Sequence, residues 1–410
     1  MKRLPLLVPL LSLGCSLASE SPGPPPLLTG LPRDLTTSEA ALVQSGNRFG
    51  LALFQRVRAG APDSNVFLSP ASAAMALGMT LNGAAGPTFD SMRAALRAGG
   101  LGQAEINAGF RSVIDLLRGL DPTTEFRIAN SIWAQSGVPW KPEFLNAGRT
   151  AFDAEIRSLN LQAPEAVTTI NDWVSSSTNG KIPTIISQIQ SNEVMFLINA
   201  IYFKGRWRAG FDPDRTQPGT FHGVGGTQTV PMMSRDPDTL RYGRVGDVEI
   251  VDLLYGNGAW AMTIVLPGPG APLGTVAAGL DEAGWSQWIG GLQTAKVGLV
   301  LPRFRLEYKR ELKDDLSALG MRLAFDPDQA DFSGMAPPGS VSGRLYLTRV
   351  TQKTFVDVNE QGTEAAAATS VGVGVTSAPP MVVVNRPFLF AIRERLSGTI
   401  LFLGQITRIP

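Results

Sequence analysis

Helical and strand periodicities are segregated along this chain, and that arrangement restricts the fold more than any other feature. Apolar residues recur at helical spacing over 41–58, 70–82, 103–120 and 141–152. Ser69-Pro70 supplies a cap and a first-turn proline for the second of these. From Glu193 onward short β-rich runs take over, at 194–203, 248–254, 260–266, 297–301, 345–358, 381–384, 388–393 and 400–408. Helices grouped before strands predict an α+β architecture and argue against a doubly wound nucleotide-binding fold, where the two would alternate. A length of 410 residues would suffice for two or three domains. Because no linker, repeat or charge run divides the chain after residue 35, a single domain over 36–410 is expected.

Composition narrows the function more than the fold. With 44% hydrophobic and 17% charged residues the chain can bury a sizeable core, which excludes wholesale disorder. Thirty-six Lys and Arg stand against 35 Asp and Glu, so there is no basic excess to neutralise a nucleic-acid backbone. One cysteine, Cys15, and one histidine, His222, leave nothing for a thiolate cluster or an imidazole metal site. His222 lies among glycines with no acid or serine motif around it and reads as a surface or turn residue. The glycine-rich run 268–274 carries Pro269 and Pro272, which lack the N–H groups of a phosphate cradle, and reads as a turn. The tryptophans at 133, 140, 173, 207, 260, 285 and 288 follow no regular spacing and are expected as packing anchors. No nucleophile, base or metal emerges, so the chain is not expected to be an enzyme.

The amino terminus has the order of a bacterial export signal over 1–18: Lys2 and Arg3, then an apolar stretch to Leu13, then Gly14-Cys15. Ten apolar residues at about 1.5 Å each cannot cross a hydrocarbon core of roughly 30 Å. Leu11-Ser12-Leu13-Gly14-Cys15 resembles a lipobox, with Ser12 where Leu or Val is usual, and would make Cys15 a lipidated first residue. The alternative is cleavage after Ser16-Leu17-Ala18, which discards Cys15 and frees the protein. Residues 19–35, rich in Pro and Gly, read as a semi-extended tether that does not pack.

The most informative segment begins at Glu360-Gln361-Gly362-Thr363-Glu364 and continues through Ala365, Ala366, Ala367 and Ala368 to Pro379-Pro380. Small side chains let such a stretch change conformation at little entropic cost. As a strand, its odd face would carry Thr363, Ala365, Ala367, Thr369, Val371, Val373 and Val375, while Glu364, Ser370, Gly372 and Gly374 take the even face. One face is therefore ready for burial. A structureless loop of about 20 residues would be unusual in a compact domain without a function.

That run resembles the hinge of the serpins, a family of serine protease inhibitors. Other segments agree in family order. They are Asn65-Val66-Phe67-Leu68-Ser69-Pro70-Ala71-Ser72, Ile170-Asn171-Asp172-Trp173-Val174 with Thr178-Asn179-Gly180-Lys181-Ile182, and Leu197-Ile198-Asn199-Ala200-Ile201-Tyr202-Phe203-Lys204-Gly205-Arg206-Trp207. Val384-Asn385-Arg386-Pro387-Phe388 and Leu401-Phe402-Leu403-Gly404 close the set. The resemblance implies one domain of three β-sheets and eight or nine helices, with an exposed reactive-centre loop at about 360–384. A target protease takes the loop as substrate, and the cleaved loop enters the largest sheet as an extra strand. Such loop insertion is a recognised case of strand addition and released strain. About 14 residues at roughly 3.3 Å each would carry the cleaved end about 50 Å.

Matched residue by residue, the resemblance implies a hinge at Glu360, Gly362, Thr363, Glu364 and Ala365 to Ala368, with the scissile bond at Thr376-Ser377 or one residue earlier at Val375-Thr376. Either bond offers a small β-branched side chain, suited to an elastase-like or subtilisin-like pocket rather than a trypsin-like one. Ser69, Ser72, Asn199 and Gln352 map onto the shutter beneath the opening sheet, and Trp207 onto the top of the sheet where insertion starts. Gln352 replaces the histidine of many members, so it donates and accepts hydrogen bonds but does not titrate near neutral pH. The implied partner is a serine protease, with cysteine proteases second. No cofactor, metal or nucleic acid is expected, and Arg111 and Arg118 alone on the 103–120 helix give no basis for a glycosaminoglycan. The chain is expected to be a monomer, exported as an envelope lipoprotein or secreted. The competing function is a non-inhibitory serpin acting as a carrier, storage or chaperone-like protein; bulky or charged inward side chains or a hinge proline would favour it, and Thr363, Ala365 and Ala367 are small.

Overall fold

The computed structural model describes residues 25–363 and 379–410. Cys15 and the expected signal segment lie outside the described residues, as do Glu364, Ala365, Ala366, Ala367, Ala368, Val375, Thr376 and Ser377.

The chain opens with α1 (Thr37–Ala59), the short strand β1 (Val66–Leu68), α2 (Pro70–Leu81), α3 (Gly86–Ala95) and α4 (Gln103–Arg118). Next come β2 (Glu125–Gln135), α5 (Pro142–Phe152), β3 (Ala154–Leu159), α6 (Ala166–Ser177) and β4 (Met195–Arg206). The middle is strand-rich: β5 (Gln217–Gly223), β6 (Gly226–Val245), β7 (Val248–Leu254) and β8 (Trp260–Leu266). Two short helices follow, α7 (Leu273–Ala278) and α8 (Glu282–Gly290), then β9 (Gln293–Pro302), β10 (Phe304–Glu311) and α9 (Lys313–Leu316). The last strands are β11 (Thr351–Asn359), β12 (Gly362–Thr363), β13 (Met381–Val383), β14 (Phe388–Glu394) and β15 (Ile400–Ile406).

Hydrogen bonding joins these strands into two networks. The first is a six-stranded sheet in the order β10-β11-β12-β4-β2-β3. The second runs β1-β15-β14-β8-β7-β6-β9-β13, with β5 paired to β6. Its long strand β6 slips register between Arg235 and Asp238. Before the slip β6 pairs with β5, and beyond it with β7, so β6 belongs to two sheet surfaces and the expected three-sheet arrangement holds. Nine α-helices among the described residues match the expected number. The main core lies between the sheets and α1, α2 and α4, and a smaller cluster of Trp133, Ile170, Val174, Ile186 and Ile198 seats α6 on the outer face of β2 and β4.

Several elements lie where periodicity gave no signal. Strand β2 is buried on both faces through its second half, because α6 covers one side and the core the other, so its residues do not alternate. Strands β3, β5, β6 and β10 and helices α3, α6, α7 and α8 were likewise outside the periodic runs. The run expected as a strand from residue 345 pairs only from Thr351, because its neighbour β10 ends at Glu311, directly opposite. The stretch read as an unpacked tether is docked in its described part. Leu28 and Leu31 pack on the core, and arginines reach its carbonyls: Arg208 donates to Pro25 O at 2.6 Å and Arg395 to Leu28 O at 2.6 Å. Proline removes a donor but leaves its carbonyl free to accept, which is why a Pro-rich stretch can still be pinned.

The docked stretch leads into the capping box of α1. Glu39 N donates to Thr36 Oγ1 at 3.2 Å, and Thr36 N donates to Glu39 Oε2 at 2.7 Å. Arg33 forks onto the same carboxylate at 2.8 and 2.6 Å, and Ser112 of α4 adds a hydroxyl donor. Foremost through Arg33, then through Ser112 and Thr36, these donors hold the Glu39 carboxyl down to about 2. A depressed carboxyl contributes stability above its unfolded pKa and loses it as pH falls through the folded value. Glu39→Gln should therefore cost about 2 kcal/mol at neutral pH, and the gap from wild type should close as urea midpoints are followed from pH 4.5 toward pH 2. A gap that stays constant across that window would contradict the assignment.

Candidate functional site

Strands β4 and β11 point the same way in the six-stranded sheet and share only β12 between them. That two-residue strand is antiparallel to both: Thr363 pairs with Gly205 on one side and with Val358 on the other, and Gly362 with Arg206 and Asn359. Gly205 and Val358 therefore stand level. Counting down both strands, Asn199 is level with Gln352, and Phe196 with the chain at Arg349. Below Thr363 no ladder joins β4 to β11 among the described residues. A cavity of about 430 Å3 occupies the separation, lined by Ser69, Ser72, Asn199, Ile201, Gln352 and Thr354 among others. A narrower one beside Ile201, Phe203, Val356 and Thr363 continues it up to β12. Alternation fixes the faces. Gln352, Thr354, Val356 and Val358 point to the core, and Thr363, opposite Val358, is buried with them.

The helix that floors this slot is placed by its own start signal. Ser69 caps α2 by accepting from Ser72 N at 3.3 Å, and Pro70 fills the first turn. The same residues bind both flanks. Gln352 Oε1 accepts from Ser69 N at 3.0 Å while its Nε2 donates to Ser69 O at 2.8 Å, and Ser69 Oγ donates to Leu401 O at 2.8 Å. On the opposite flank Ser72 Oγ donates to Asn199 O at 3.3 Å, and Asn199 Nδ2 donates to Asn130 Oδ1 at 2.7 Å. The buried Asn199 Oδ1 has no partner among the described residues. All four residues assigned from sequence to the shutter thus meet around the amino end of α2, at mid-height of the slot.

The upper end is held by a second cluster. Trp207 Nε1 donates to Asn359 O at 2.9 Å, and its ring stacks on Tyr255 at 4.4 Å. Tyr255, fully buried, shares a 2.7 Å hydrogen bond with Thr363 Oγ1. Burial raises the Tyr255 phenol well above its ordinary pKa, so the hydroxyl stays protonated and available for that bond. Gly205 leaves room for the tyrosine: a Cβ there would come within 2.7 Å of its ring. Gly362 is equally constrained, since a Cβ would lie 2.0 Å from Gly205 O. Glu360 is buried, accepting from Thr216 Oγ1 at 2.7 Å with Arg303 at 3.4 Å.

Of the sequence-assigned residues, Glu360, Gly362, Thr363 and Trp207 gather at this upper end, and Ser69, Ser72, Asn199 and Gln352 at mid-height. The remaining hinge residues and both candidate scissile bonds lie outside the described residues. Sequence reasoning missed Tyr255, Asn130 and Arg303, whose roles come from contacts distant along the chain. His222 sits exposed on β5, donating its backbone N–H to Asn385 O at 2.7 Å, and takes no part in either cluster. Among the described residues no group of three or more His, Cys, Asp and Glu is placed to hold a metal ion.

A model of the family described as Serpin (serine protease inhibitor) matches residues 44–409. Iripin-8 of Ixodes ricinus is 32% identical over 390 residues, covering 92% of this chain and 96% of its own. The leukocyte elastase inhibitor of Bos taurus is 34% identical over 381 residues, 89% of this chain and 99% of its own. Among solved structures, the thermophilic serpin tengpin in its native state superposes with a TM-score of 0.82 at 28% identity, covering 94% of this chain and 97% of tengpin. Human thyroxine-binding globulin complexed with its hormone superposes with a TM-score of 0.81 at 28% identity, covering 91% and 100%.

The Tyr255–Thr363 bond can be isolated by a double-mutant cycle. Tyr255→Phe and Thr363→Val should each cost about 1–3 kcal/mol, because each leaves a buried hydroxyl unpaired. The double variant should recover about 1 kcal/mol relative to the sum, measured by urea unfolding. Strict additivity would show that the two hydroxyls do not interact.

Proposed function

The chain belongs to the serpin family, and we propose that it is a suicide inhibitor of serine proteases whose bait is the stretch from Glu360 to Val384. The observation that carries this reading is the slot. Two unjoined strands of the same direction, closed at one end by β12, leave room for one strand antiparallel to both, and β12, from Gly362 to Thr363, has that direction. Continuing β12's register would send the odd-numbered face toward the core, where its Thr, Ala and Val side chains suit burial. The same register brings position 369 between Asn199 and Gln352, where a threonine hydroxyl would meet the unpartnered Asn199 Oδ1.

The chemistry is an interrupted peptide hydrolysis. The protease's serine oxygen attacks the carbonyl carbon of Thr376, the bond to the Ser377 nitrogen breaks, and that nitrogen leaves as an amine carrying the proton. The ester so formed travels with the loop's new end as the strand inserts. Displacement across the sheet distorts the protease before water can complete deacylation. Thr376 presents a small uncharged group, which favours an elastase-like or subtilisin-like target. The name of the bovine relative, a leukocyte elastase inhibitor, points the same way.

The carrier alternative draws on thyroxine-binding globulin, since similarity to that fold does not by itself imply inhibition. Small inward positions at Thr363, Ala365 and Ala367 weigh against it here, because they leave insertion unobstructed.

Incubation with an elastase-like protease should yield an SDS-stable complex and a released peptide beginning at Ser377. A peptide beginning at Thr376 would move the bond to Val375-Thr376, and clean cleavage without any complex across a panel of serine proteases would contradict inhibition. Ala365→Arg should turn inhibitor into substrate, because continuing the register of β12 would bring a charge unpaired onto the core face, which costs several kcal/mol, roughly, and slows insertion. Thr376→Arg should instead shift the second-order inhibition rate from the elastase-like toward a trypsin-like enzyme while trapping persists.

A further inference from the structure

The lower end of the slot is closed by side chains rather than by backbone. Just before β4, Glu193 is almost fully buried; just before β11, Arg349 forks onto it, Nε to Oε1 at 2.9 Å and Nη2 to Oε2 at 2.9 Å. The same guanidinium donates to Gln188 O at 2.8 Å and lies over the Phe196 ring at 5.5 Å. Glu193 is further held by Gln190 N at 2.8 Å and Thr348 Oγ1 at 3.1 Å, and beside it Asn192 Nδ2 donates to Tyr346 OH at 3.0 Å. Every one of these bonds except the local one from Gln190 ties the chain entering β4 to the chain entering β11. They span a level of the sheet at which, among the described residues, no strand pairing joins the two flanks.

We propose that Arg349 and Glu193 form a latch across the foot of the slot, and that its opening sets how fast insertion is completed and how long the uninserted form survives. The proposal rests on the inhibitor reading above. Its geometry follows from the register. A strand continuing from β12 passes between Phe196 and Arg349 and separates those levels to about 9.6 Å, twice the interstrand spacing. Glu193 lies three residues further down, which places it about 14 Å from Arg349 along the diagonal, too far for a two-bond fork. Insertion to the level of Asn199 and Gln352 leaves the latch untouched, whereas the last turn of the loop's travel has to break it. A bidentate pair on a buried carboxylate suits that position, because it is strong only at one geometry and offers nothing to a sheet that has opened.

The test uses the full chain and three variants, Arg349→Met, Arg349→Lys and Glu193→Gln. Two quantities are followed: the rate at which inhibitory activity is lost at a fixed raised temperature, and the rate at which the acylated protease is trapped in stopped flow. Arg349→Met should lose activity about tenfold faster than wild type and trap faster, with Arg349→Lys between the two because it keeps the charge but not the fork. Should Arg349→Met fail to fold, Glu193→Gln carries the same expectation. A merely structural role is separated by urea unfolding of the loop-cleaved protein, which Arg349→Met should leave unchanged because the latch is already open there. Wild-type lifetimes and trapping rates in the variants, or equal destabilisation of uncleaved and cleaved forms, would overturn the latch while leaving the inhibitor reading intact. A wild-type protein that gains no stability when its loop is cleaved would refute the inhibitor reading, and the latch with it.

Discussion

Backbone amides and carbonyls need partners, and β4 and β11 are two neighbouring strands that do not supply them to each other. Every second residue of a strand turns its N–H and C=O toward one side, so each of these strands directs a row of polar groups into the slot. A strand of about ten residues laid between them would form a ladder on both sides. At about 1 kcal/mol net per hydrogen bond, that is of the order of 10 kcal/mol, comparable with the whole stability of a typical domain. Under the proposed insertion a large gain is therefore available to the cleaved loop and withheld from the intact one, and the contacts around the slot can be understood by how they withhold it.

Three polar devices hold the slot at its present width. Above, β12 wedges the two strands apart while Tyr255 and Trp207 fasten Thr363 and Asn359. At mid-height the capped start of α2 binds Gln352 on one flank and the Asn199 carbonyl on the other. At the foot, the carboxylate of Glu193 reaches across to Arg349. The choice of polar contacts is physically apt. A hydrogen bond needs both a short donor–acceptor distance and a near-linear angle, so each device holds at one geometry and is lost when the flanks part. The apolar core beneath contributes the mass of the stability, and these few bonds hold the flanks of the slot where they stand.

How much of this could be read from the chain depends on whether the signal is local. The start of α2 was legible because Ser69-Pro70 is a cap and a first-turn proline in adjacent positions. The inward-facing row of the loop was legible up to Thr363, whose burial opposite Val358 agrees with the parity found in the sequence. Strand β2 escaped because burial on both faces erases alternation, and residues 345–350 looked like strand although β10 stops too early to pair with them. Tyr255 had no sequence signal at all. Its partner Thr363 is 108 residues away, and only the fold brings the two together. The tether was misjudged for a different reason: composition counted missing donors, while docking used carbonyls and two distant arginines.

Hydrogen–deuterium exchange of the slot-facing amides tests the central claim most directly. The protein would be compared before and after a single cut in its loop, with exchange followed by mass spectrometry over 195–204 and 351–358. If the cleaved loop becomes a strand between β4 and β11, amides on both flanks should gain protection together, down past the level of Asn199 and Gln352. Unchanged exchange on either flank after complete cleavage would contradict the account.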